Sequence, residues 1–173
     1  MKRKPTIYIL LICTLLVLSS CTGNKEIYQS ESNDLFTITI TADSSKYSDD
    51  TAIECYATLK YIGDESITVY HYNPLVTFNI RDNNGYNHSG GMIVEYLNKT
   101  FQPGDELHIP YKKVAGWIDS EGTPFDEEFA MEPNLILPKG EYRLSANIYY
   151  YLDEVEILKT QDSLTATINI VVK

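Results

Sequence analysis

The chain has 173 residues, 22% of them charged, and a formal net charge of −10 with a pI near 4.7. Such an acidic surface repels nucleic acid phosphates and anionic lipid headgroups, so nucleic acid is disfavoured as a partner. Membrane attachment through a basic patch is disfavoured on the same ground.

Lys2, Arg3 and Lys4 form a positive start, and residues 6 to 20 carry no charge. Fifteen uncharged residues suit a secretory apolar region with its cleavage site. A transmembrane helix needs about 20. Leu18-Ser19-Ser20-Cys21 follows: an aliphatic residue, two small ones and a cysteine. In order, spacing and flanks this resembles the bacterial lipobox. The resemblance implies that residues 1 to 20 are a lipoprotein signal peptide and that Cys21 is lipidated to become the mature N-terminus. It also implies a protein lipid-anchored to the cell membrane on its extracytoplasmic face. Two acyl chains suffice for stable anchoring, at about 0.8 kcal/mol per buried methylene. Loss of residues 1 to 20 leaves 153, the size of one domain, and removes three positive charges, so the mature charge is −13.

On that resemblance Cys13 would leave with the signal peptide and lipid would consume the sulfur of Cys21, so Cys55 is expected to stand alone without an intramolecular disulfide. Cys55 alternates in phase with Ile53, Ala57 and Leu59, which predicts a buried, inert thiol. The core must then hold the domain unaided, and 19 aromatic residues in the mature chain (13 of them tyrosines) make that feasible.

Residues 21 to 34 lack any sustained period and read as a flexible tether, with the domain spanning 35 to 173. Within the domain the period is two. Phe36, Ile38 and Ile40 alternate with Thr37, Thr39 and Thr41, which predicts a half-buried strand. The acidic, serine-rich residues 43 to 50 break it. Ile53 through Tyr61 predicts a second strand, Gly63-Asp64-Glu65-Ser66 a turn, and Ile67, Val69 and His71 a third strand. Asn73-Pro74 interrupts before a strand through Val76, Phe78 and Ile80. Asp82-Asn83-Asn84-Gly85 is a hairpin signal. Met92, Val94 and Tyr96 suggest another strand, and Gln102-Pro103-Gly104-Asp105 turns the chain. Leu107, Ile109 and Tyr111 alternate again, with Pro110 predicting an edge. Residues 116 to 133 read as a long loop with one helical turn at 126 to 131. Tyr142 through Tyr150 and Leu164 through Val172 are long strands, with a short strand or ladder extension at 155 to 158. Seven to nine strands with no crossover helices predict an all-β, antiparallel, immunoglobulin-like sandwich. Gly140-Glu141-Tyr142-Arg143-Leu144 looks like its tyrosine corner.

Three stretches give a family likeness: residues 58 to 68, Leu75-Val76-Thr77-Phe78-Asn79-Ile80-Arg81, and Phe101-Gln102-Pro103-Gly104-Asp105-Glu106-Leu107. With Leu137-Pro138-Lys139-Gly140-Glu141-Tyr142 they resemble the immunoglobulin-like domain of the BsuPI proteinase-inhibitor type, over residues 55 to 145. The acidic loop and the long C-terminal hairpin depart from that pattern. The resemblance implies the sandwich fold and, as an alternative function, a proteinase-inhibitor-like module, with no inhibitory residue carried over.

Chemistry for catalysis is sparse. His71, His88 and His108 lack the spacing of a metal motif, and no nucleophile elbow, phosphate loop or dinucleotide fingerprint occurs. No cofactor is expected. Asp82-Asn83-Asn84-Gly85 starts like a calcium loop but lacks the later glutamate, so a hairpin turn is the better account. The candidate partner-binding surface is the acidic loop, where Trp117 and Phe125 could anchor a partner beside Asp119 and Glu121. The function expected is a noncatalytic binding or accessory module engaging an envelope protein or polymer, or else a protease, and not an enzyme.

Overall fold

The computed structural model describes residues 25–85, 87–89, 93–112, 134–153 and 161–173. Among the described residues, eleven strands run in chain order: β1 (Ile27–Ser32), β2 (Phe36–Ala42), β3 (Lys46–Tyr47), β4 (Cys55–Tyr61), β5 (Ile67–Asn73), β6 (Val76–Asp82), β7 (Asn87–Ser89), β8 (Ile93–Phe101), β9 (Glu106–Pro110), β10 (Gly140–Tyr150) and β11 (Asp162–Val172). They form a four-stranded sheet β1-β2-β4-β9, a five-stranded sheet β3-β11-β10-β6-β7 and a two-stranded ribbon β5-β8. Every pairing is antiparallel except the short β3 against β11. The fold is the expected all-β antiparallel sandwich.

Alternation places the core between the two larger sheets. Phe36, Ile38 and Ile40 of β2 and Ala57 and Leu59 of β4 are wholly buried, facing Ile80, Leu144, Ile148 and Ile170 of the opposite sheet. Phe36 sits at the centre of an aromatic cluster, with Tyr61, Phe101 and Tyr150 at 5.5, 5.1 and 5.2 Å between ring centroids. Such pairs add about 0.5–1.5 kcal/mol each beyond the area they bury. Cys55 lies on the inward face with Ile53, Ala57 and Leu59, as its phase predicts.

One boundary differs from the sequence reading. Residues 27 to 32, read as tether, form β1 at the edge of the first sheet, in full register with β2. Only Ile27 is even partly buried there, so no apolar period announces the strand. Backbone pairing holds it, with hydroxyl pairs Ser30–Thr39 at 2.7 Å and Ser32–Thr37 at 2.8 Å. Polar, exposed residues are what an edge strand carries. A second addition is β3, within the stretch read as a break. Tyr47 is buried there, donates to Asp43 Oδ1 at 2.6 Å and accepts from the Ser44 amide at 2.9 Å.

The turns follow the predicted chemistry. At the β6–β7 hairpin the Asn84 amide donates to Asp82 Oδ1, and Gly85 takes a φ of 100° that side chains disfavour. Between β4 and β5, Tyr61 donates its hydroxyl to the Glu65 carbonyl across Gly63, where any Cβ would run into the Tyr61 ring. Pro110 ends β9, which is an edge as expected. Tyr142 makes the corner, donating to the Pro138 carbonyl at 2.9 Å.

Candidate functional site

Cys21, Trp117, Asp119, Glu121 and Phe125 lie outside the described residues, as do the helical turn at 126–131 and the short strand at 155–158. The described chain leaves at Lys112 and returns at Asn134, and both residues line the seam where β9 ends.

Two adjoining concavities occupy that seam. One, of about 250 Å³, lies between β9 and the β6–β7 edge and is lined by Phe78, His88, His108, Tyr111 and Lys112 among others. The other, of about 350 Å³, shares His108, Pro110 and Tyr111 and reaches Cys55 and Asn134. Phe78 and Tyr111 meet edge to face at 5.5 Å, and His108 packs on Tyr56 at 4.3 Å. Burial, and then the charge of Asp43, push the Cys55 thiol up to about 12, which keeps it protonated and non-nucleophilic at neutral pH. Burial likewise raises the Tyr111 hydroxyl well above its ordinary value. Among the described residues no group of three His, Cys, Asp or Glu side chains is placed to hold a metal ion. The seam combines a mainly apolar concavity beside Phe78 and Tyr111 with a more polar one that reaches Cys55 and Asn134.

The β5–β8 ribbon adds a cluster of tyrosines. Tyr70 and Tyr72 share one face of the ribbon, Tyr96 pairs with Tyr72, and Tyr151 bridges Tyr70 from the end of β10. The rings of Tyr70 and Tyr96 stack at 6.0 Å, and Tyr72 meets Tyr96 edge on at 5.7 Å. The available signal was the alternation of Tyr70 and Tyr72 around His71. Their partners come from residues 24 to 81 positions away, which no local pattern reveals.

On the outer face of the five-stranded sheet the register lines up a third surface. Asn169, Arg143, Arg81 and Asn87 form one row across β11, β10, β6 and β7. Arg81 Nε donates to Asn87 Oδ1 at 2.9 Å, and both arginines are exposed.

No family model matches the chain, and no curated protein does. Among solved structures, the chain is similar over 86% of its length to a β-glucosidase from Erythrobacter marinus, at 12% identity and a TM-score of 0.36. It spans 15% of that enzyme's length.

Proposed function

We propose that this protein is a lipid-anchored, extracytoplasmic lipoprotein whose immunoglobulin-like sandwich serves as a noncatalytic binding or accessory module of the cell envelope. The observation that carries the anchor is Leu18-Ser19-Ser20-Cys21 behind a basic start and a short uncharged run. The position of β1 sharpens the consequence. Five residues separate Cys21 from Ile27, so a fully extended spacer reaches about 17–18 Å. The module would therefore work close to the bilayer. A binding role is supported by the protonated, buried Cys55 and by faces that carry aromatic and polar side chains in rows. The Tyr142 corner and the sandwich layers support the immunoglobulin-like description.

Replacing Cys21 with serine tests the anchor. Labelling by a fatty-acid analogue should be lost and the protein should move to the soluble or secreted pool. Unchanged membrane retention would overturn the assignment. A pulldown from crosslinked cells then tests the role: an envelope component in the eluate supports the accessory module, whereas a protease would favour the inhibitor-like alternative.

A further inference from the structure

Arg81 and Arg143 are the only arginines after residue 3, and the register sets them directly opposite each other on β6 and β10. Like charges so placed repel. In an acidic chain, carboxylate partners are plentiful, yet among the described residues neither guanidinium has one; the ion pair found there is Lys139–Asp49 at 3.5 Å. Among the described residues Arg81 is engaged by Asn87 through Nε alone, with both terminal nitrogens of that guanidinium left for a ligand. Asn169 flanks Arg143 on its other side, and the adjacent row adds Ser145 and Asn79.

We propose that this row binds the carboxylates of an acidic, uronate-type glycan. A guanidinium matches a carboxylate bidentately, and two side by side place one anion between them or one on each. The neighbouring amides and hydroxyls suit the hydroxyls of a sugar chain. A protein partner would call for an aromatic or apolar centre, and neither row supplies one. A dense polyanion such as nucleic acid meets the acidic charge of the whole molecule. Carboxylates spaced along a hydroxyl-rich chain meet mainly the local pair, because charges beyond about 8 Å are screened at physiological salt. The inference rests on the reading of the domain as a noncatalytic binding module and names its ligand class.

The test is isothermal titration of the full-length protein in non-ionic detergent with a galacturonic acid oligosaccharide, against a neutral glucan of equal length. Saturable binding to the acidic sugar alone is expected, weakened at least tenfold by Arg81→Gln or Arg143→Gln and abolished by both together. The double Arg→Lys variant should retain only weak binding, since it keeps the charge and loses the fork. Both side chains are exposed, so the double Arg→Gln variant should unfold no earlier than the parent on heating, which separates lost binding from lost folding. Several results would overturn the site: no binding of the acidic sugar, equal binding by the double variant, or equal binding of the neutral glucan. An oligoglutamate peptide that bound as tightly would assign the row to an acidic protein segment instead. A dimer that the double variant dissociates would assign it to a second copy. Cleavage of the oligosaccharide would overturn the noncatalytic reading on its own, and membrane fractionation reports the anchor independently of either.

Discussion

Cys55 and Tyr142 show how far single residues respond to what surrounds them. Both are buried, and both hold their protons to about pH 12 because the charged form would lie in apolar surroundings. Cys55 makes no disulfide. Cys55→Ala should cost roughly 1 kcal/mol and leave binding unchanged. Rapid reaction of the native protein with a thiol reagent at neutral pH would contradict that passive role. Tyr142 acts differently, since its hydroxyl satisfies the Pro138 carbonyl. Tyr142→Phe leaves that carbonyl without its partner and should lower stability by about 1–1.5 kcal/mol in urea titration, with the fold retained. An unchanged urea midpoint would show the corner to be dispensable.

At the scale of elements, strands with a buried face were legible and strands without one were not. The alternation of Phe36, Ile38 and Ile40, or of Leu144, Ala146 and Ile148, reports burial because the period of two matches the sheet. β1 carries no such report, since hydrogen bonding and not side-chain burial holds it. Two polar segments of the sequence can be compared in the same way. The β6–β7 hairpin tip is short and closed by its own Asp82–Asn84 bond, whereas residues 116 to 133, predicted from sequence to be a long loop, combine Trp117 and Phe125 with six carboxylates. Long connections in compact domains are usually functional or disordered. A protein partner should contact that connection rather than the hairpin tip. Trp117→Ala should then weaken binding strongly, while neutralising the carboxylates should mainly slow association and reduce its salt dependence. Trp117 is the sole tryptophan, so intrinsic fluorescence is diagnostic. Blue-shifted, quencher-protected emission in the free protein would place Trp117 in the core and reject the anchor.

For the whole molecule, several raised acidities add up to a pH response. Tyr47, Tyr111, Tyr142 and Cys55 all titrate higher in the folded state than their ordinary values of 10.0 and 9.0, chiefly through burial. The folded state therefore binds more protons than the unfolded one in alkali. Their contribution is complete below about pH 9 and falls as pH rises through 9 to 12 and beyond. Urea midpoints should be flat in mild alkali and drop steeply above about pH 10; a midpoint that rose there would refute the linkage. The sequence by itself determined the apolar alternation, the turn chemistry and the inward phase of Cys55, because each is written in neighbouring residues. It also carried Leu18-Ser19-Ser20-Cys21 behind a basic start, which is a local pattern. Tertiary structure alone decided which strands share a sheet, and hence that Arg81 meets Arg143, that Tyr72 meets Tyr96 and that His108 meets Tyr56. Those meetings depend on register between segments far apart in the chain, and a two-residue period says which face a side chain takes but not whom it faces.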